Sequence, residues 1–224
     1  MPSNEITVGM HSLSMDDAAE IITQYTGNVE LRRKRRDFYA WPYYDQMDTG
    51  SAASELNDGD LLAPVLLNVN PGIHGLASLQ ECRPALVTLL HEVPENLSLD
   101  DVDATEDVID QVAKLFSVLD THDAFGIGGT TLSKVLHRKR PALIPLHDTF
   151  VRQAYVPERI EPARSRSWER YVRLLVSEMK ADLCASPACW KTLAAIPARG
   201  GLTALRALDI VAWHQGKASS RGGH

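Results

Sequence analysis

GIGGTTLSKVLHRKRPALIPLHDTFVRQAY, residues 126–155, decides how this chain is read. It opens on a Gly-x-Gly turn between two helices. A cationic helix follows over 129–138, with Leu132, Val135 and Leu136 facing inward. Pro141 and Pro145 make ALIPL, residues 142–146, an extended connection and not a sheet strand. Asp148 then caps a further helix that runs through Tyr155. Glycines at 126 and 128 let the backbone turn tightly and approach a phosphate with no Cβ in the way. The amides of Gly128, Gly129 and Thr130 lie at a helix N-terminus, where the dipole favours an anion. Thr130 and Thr131 add hydroxyl donors, and Lys134, Arg138, Lys139 and Arg140 add charge. Such a set grips a DNA backbone without reading its sequence, or forms an ordinary glycine-rich turn between two helices. It is not a nucleotide P-loop, because the Lys-Ser/Thr after the last glycine is missing.

Helical signals continue on both sides. Ser14 caps a helix over 15–26, with Asp16 and Asp17 in its first turn and Gly27 at its end. Residues 28–57 are irregular: RRKRR at 32–36 runs into Phe38, Tyr39, Trp41, Tyr43 and Tyr44, and MDTGSAAS at 47–54 reads as a flexible loop. Asn57 or Asp58 starts a helix with Leu61, Leu62, Val65 and Leu66 on its apolar face, ended by Pro71-Gly72. Pro84 suits the first turn of another, through Val93. Thr105 caps the clearest helix, where Val108, Ile109, Val112, Leu115, Phe116 and Leu119 form one stripe. Ser167 caps a helix with Trp168, Tyr171, Val172, Leu175 and Met179 on one face. Helices over 187–193 and 202–213 complete the chain. Strand patterns are almost absent. The expectation is a single all-α domain over 1–224, with 1–57 partly irregular and 105–155 holding the informative region.

The chain has 224 residues, 44% hydrophobic and 23% charged, which excludes wholesale disorder. No apolar run nears the ~18 residues of a membrane span, and the first residues show no secretory signal, so a cytoplasmic protein without membrane contact is expected. Cys82, Cys184 and Cys189 are too few and scattered for a disulfide framework. The net charge of −6 is unevenly spread. Residues 1–125 hold 7 Lys/Arg and 22 Asp/Glu, a balance of −15; residues 126–224 hold 16 and 7, a balance of +9. A molecule so polarised can offer one anion-binding face, or simply two solvated faces.

The central stretch resembles the helix–hairpin–helix DNA glycosylases of the HhH-GPD superfamily. Gly126-Ile127-Gly128 matches the hairpin, and Asp148-Thr149, with Val151 three after the Asp, matches the second element at the family's spacing. The likeness spans about thirty residues. It implies a compact two-lobed helical fold with a helix-hairpin-helix DNA-binding motif, and double-stranded DNA bound across the cleft by a monomer. It makes Asp148 the catalytic carboxylate. Thr130 stands where bifunctional members carry a lysine, so no Schiff base forms there and strand cleavage is not expected. Cys184 and Cys189 alone cannot supply the family's four-cysteine cluster, so no iron–sulfur cofactor is expected, nor any metal. Ala124-Phe125 replaces the usual Leu-Pro, and the arginine that follows the Asp is displaced to Arg152.

The chemistry so implied is hydrolysis of an N-glycosidic bond to leave an abasic site. A damaged or modified base rotates out of the stack, and an ionised carboxylate beside C1′ stabilises the oxocarbenium character and prepares water. His147 is a second titratable candidate. Tyr39, Trp41, Tyr43 and Tyr44 offer an aromatic wall for the base, with Asp45 as a hydrogen-bond acceptor; packing of an irregular segment onto the core is the other reading. The rival function is a non-catalytic helix–hairpin–helix protein that binds DNA or a partner. A third, a helical protein with no nucleic-acid role, gains if residues 126–140 are buried.

Overall fold

The computed structural model describes residues 5–27, 40–121, 124–155, 167–198 and 200–221. A hairpin that the sequence reading omits comes first. Strands β1 (Glu5–Val8) and β2 (His11–Ser14) pair antiparallel, with Ile6 opposite Leu13. Ile6, Val8 and Leu13 are buried. Four residues per strand are too few for an alternation to stand out from its surroundings. The molecule is therefore mostly helical with one small sheet.

Ser14 accepts a hydrogen bond from Asp17 N and starts α1 (Met15–Thr26) as the cap signal requires. The next region corrects two expectations. Asn57 does cap α2 (Asp58–Leu62), and Asp60 completes a capping box. The chain then tightens into a 3-10 turn over Ala63–Leu67, which leaves Leu62, Val65 and Leu66 exposed instead of inward. Pro71-Gly72 ends nothing: Pro71 is the N-cap residue of α3 (Gly72–Leu90). Pro84 lies inside that helix, where its missing N–H leaves one carbonyl without a helical partner. The loop 47–54 is organised by Asp60. The buried carboxylate accepts from Thr49 Oγ1 at 2.7 Å and Ser51 Oγ at 2.5 Å, and pairs with Lys139 at 2.9 Å.

Helix α4 (Glu106–Lys114) gives way to a 3-10 turn and the short α5 (Val118–Thr121). Then come α6 (Gly129–Leu136), α7 (Thr149–Tyr155), α8 (Trp168–Ala185), α9 (Pro187–Ala194) and α10 (Ala204–Arg221). Ser167 caps α8 by accepting from Arg170 N, as expected. Helix α10 packs along α7 and also against α1 and α9, while α4 packs against α8. A large apolar core extends from Ile6 to Ala212; Tyr44, Ala63 and Leu146 form a small separate cluster. No helix among the described residues is long and apolar enough to cross a membrane.

Part of the uneven charge of the sequence is paired between the two halves, inside the fold for Lys139 and Arg206 and at the surface for Arg173. Lys139 pairs with Asp60, Arg206 with Asp45 at 2.6 Å, and Arg173 with Glu106 and Asp110. Each bond joins a cation of the basic half to a carboxylate of the acidic half.

Candidate active site

The glycine turn is a packing device. Gly126 adopts a left-handed φ of 80° at the turn, and Ile127 N donates back to Ala124 O. Gly128 is extended, and its carbonyl accepts from Thr131 N and Leu132 N to begin α6. A Cβ on Gly129 would lie 2.2 Å from the Trp168 indole. That indole sits edge-on to His147 and Tyr171, so it has little room to yield. Phe125 O accepts from Ser78 Oγ and ties the turn to α3. A Gly129→Val variant should lose about 1–3 kcal/mol through overpacking, read as a lower melting temperature. A variant with unchanged melting that bound DNA less tightly would return Gly129 to a phosphate-binding role.

Helix α6 runs through the interior, and this corrects the expected grip on DNA. Thr131, Lys134, Lys139 and Arg140 are buried, while Thr130 and Arg138 are half-buried. Arg138 donates to the carbonyls of Tyr44 and Met47. Lys139 is bound to Asp60, Ser51 and Ala52 O. Arg140 donates to Leu90 O, Val93 O, Ala53 O and Ser54 Oγ. These cations bind carbonyls and carboxylates of this chain, so they do not form a phosphate-facing row.

The aromatic segment is likewise redistributed. Tyr39 and RRKRR lie outside the described residues. Trp41 is in the core, and Tyr44 is fully buried with its hydroxyl on Lys134 O at 2.7 Å. Tyr43 is 52% exposed, and Asp45 is paired with Arg206. Trp41, Tyr44 and Asp45 line a hollow of about 390 Å³ that does not contain Asp148. They form no wall beside it, because Tyr44 and Arg138 clamp this segment onto α6.

Asp148 lies instead on a second cavity, of about 280 Å³, together with Lys134, Arg206, Asp209, Trp213 and Lys217. Buried Lys134, Arg206 and Asp209 form its floor; half-buried Asp148, Trp213 and Lys217 form its rim. Asp148 Oδ1 accepts from Phe150 N and Val151 N, both at 2.9 Å, and so holds the start of α7. Its Oδ2 takes no hydrogen bond among the described residues. Lys134 is one helical turn beyond Thr130, and its Nζ donates to His147 O at 3.3 Å. Burial pushes the Lys134 ammonium down to about 8, opposed by the nearby Asp148 carboxylate. Burial pushes Asp209 up to about 8, although Arg206 opposes the shift. Arg206 donates to Asp45 and to Tyr25 Oη, which holds the guanidinium in its charged form. Lys217 Nζ lies 4.4 Å from the centre of the Trp213 ring at the rim. His147 is bound to Tyr171 Oη at 2.8 Å and does not line this cavity.

Sequence reasoning missed Arg206 and Asp209. Their signal is visible in LRALDIVA, residues 205–212: an i, i+3 charged pair inside an otherwise apolar helix. Charges placed on the buried face of a helix are costly and mark a paired or functional site. Among the described residues no group of three His, Cys, Asp or Glu stands together as a metal site.

The profile of a family of unknown function, DUF6308, matches residues 18–216, and the chain belongs to that family. No curated protein and no solved structure matches it.

Proposed function

We propose that this chain is a monofunctional DNA glycosylase. It hydrolyses the N-glycosidic bond of a damaged or modified base in double-stranded DNA, in repair or in defence against modified invader DNA, and works as a cytoplasmic monomer. The observation that carries this is Asp148. It holds the helix start with Oδ1, leaves Oδ2 without a hydrogen bond among the described residues, and lines a cavity that also contains a buried amine and a buried carboxyl. Two carboxyl groups in unlike surroundings suit sugar hydrolysis. The volume, about 280 Å³, lies at the lower end of the range of ligand pockets, roughly 300–1,000 Å³. The hairpin at 126–128 belongs to this reading as the element that sets α6 and so Lys134.

The test is abasic-site detection after incubating the protein with duplexes carrying different modified bases, phage DNA with altered bases included. One base should be released, with strand breaks only after alkali. Borohydride should trap no covalent complex, since Thr130 replaces the expected lysine and Lys134 Nζ is held on His147 O. A complex lost in Lys134→Ala would overturn the monofunctional assignment. No abasic site from any duplex would overturn the glycosylase reading.

The burial of α6 favours a second reading, a helical protein without a nucleic-acid role whose cavity takes a small polar ligand. The two part on the salt dependence of duplex binding. Phosphate contacts give a steep fall of affinity with salt, and the second reading gives no measurable duplex binding at all.

A further inference from the structure

The geometry points to Asp209 as the general acid of the site: its Oδ1 carries a proton into the cavity and delivers it to the departing base. This rests on the glycosylase reading and assigns a step that Asp148 does not perform.

Asp209 is 1% exposed and lines the same cavity as Asp148. Its two oxygens are unlike. Oδ2 accepts from Leu146 N at 3.1 Å. Oδ1 is buried and has no partner among the described residues. A buried polar atom without a protein partner is costly, and in native structures it is met by an ordered water, a ligand or a functional role. Because Oδ2 is an acceptor, the proton of the neutral acid belongs on Oδ1, the buried oxygen without a partner among the described residues, in a residue that lines the cavity. The groups around it keep it neutral. Arg206 on α10 and Lys134 on α6 favour the anion, as does Leu146 N–H. Asp148, ahead of α7, disfavours it, and burial outweighs the rest. Tyr25 of α1, Asn68 and Lys217 further along α10 also line the cavity.

In the reaction the C1′–N bond breaks and its electron pair goes to the base. Asp209 Oδ1 gives its proton to a ring nitrogen or carbonyl oxygen of that base. Water adds to C1′ and loses a proton to Asp148. Solvent returns Asp209 to the acid and Asp148 to the anion. Asp209 thus supplies the acid and Asp148 the base.

Asp209→Asn is the informative variant. The amide is of the same size, its oxygen can still accept from Leu146 N, and its NH₂ can still donate into the cavity. It holds no transferable proton. Excision of a neutral base should fall about 10²–10⁴-fold, and the fall of wild-type rate above pH 8 should disappear. Excision of 7-methylguanine from the same duplex should be spared, because that base already leaves from a cationic form. Equal losses on both bases, or none on either, would overturn the proposal. A ¹³C titration of aspartate-labelled protein without substrate reads the protonation state independently of excision. The Asp209 carboxyl carbon should titrate near pH 8, and titration in the ordinary carboxylate range overturns the general acid even where excision is seen. Failure to excise any base, with the titration as expected, overturns the glycosylase reading and this catalytic role together, while the buried neutral acid stands.

Discussion

Asp148→Asn should fold, bind duplex DNA and lose base excision by about a hundredfold or more. Asparagine caps a helix nearly as well as aspartate. Its side-chain oxygen can take over the bonds that Asp148 Oδ1 accepts from Phe150 N and Val151 N. The thermal midpoint should therefore stay close to that of the wild type. What is lost is a negative charge aimed at the developing oxocarbenium ion, and the group that prepares water. The loss also reaches the floor of the cavity. The Asp148 carboxylate holds the Lys134 ammonium up and pushes the Asp209 carboxyl further up. Without it, both groups should titrate at lower pH than in the wild type. Duplex affinity should hold or rise, since a negative charge near the phosphates is gone. Abasic-site formation under single-turnover conditions, beside a thermal melt, checks this. Full excision by a well-folded variant would take Asp148 out of the chemistry.

The helices with strong local caps were legible in the sequence. Ser14, Asn57, Asp148 and Ser167 each sit at a helix start with the side chain accepting a backbone N–H. Local chemistry decides such ends, so a short window of sequence holds the information. Proline was harder to read. Pro84 looks like a first-turn residue, yet packing of Leu79, Cys82, Leu86 and Leu90 carries α3 straight through it. The two short strands fall below the length at which a period shows. For the site, Asp148 and Lys134 are both in the quoted stretch, and the structure brings them to one cavity. Arg206 and Asp209 arrive from some 60 residues away in sequence, through the packing of α10 on α7. No local pattern states that contact. The run from Lys134 to Arg140 shows the converse limit. A cluster of cations in sequence carries no sign of whether carboxylates from another segment will meet it.

Arg140 tests that last point at full strength. Its guanidinium is 1% exposed and sits where α3 ends. Its Nη2 donates to Leu90 O and Val93 O, both at 3.0 Å, and its Nη1 to Ala53 O at 2.7 Å. The last carbonyls of a helix have no partner within it, and a cation there also meets the negative end of the dipole. Arg140 thus joins the C-terminus of α3 to the loop 47–54 and to α6. Arg140→Met keeps the apolar stem and deletes every donor. The Val93 carbonyl, which takes two of the guanidinium's bonds, then loses them, while Leu90 O keeps only Val93 N–H as its donor. Breaking one side of a buried charged network costs about 3–5 kcal/mol. For a domain of this size that lowers the melting temperature by roughly 6–20 °C. Arg140→Lys should fall between the two, because an ammonium keeps the charge but cannot span carbonyls on both sides of a planar fork. A surface arginine that touched DNA would behave otherwise: stability would move by no more than about 0.5 kcal/mol, and the salt slope of duplex binding would drop by about one. Melting curves of the two variants, set beside duplex titrations at several salt concentrations, separate these outcomes. A stable Arg140→Met protein with a shallower salt slope would restore the basic run to the DNA and displace the architecture argued from its burial.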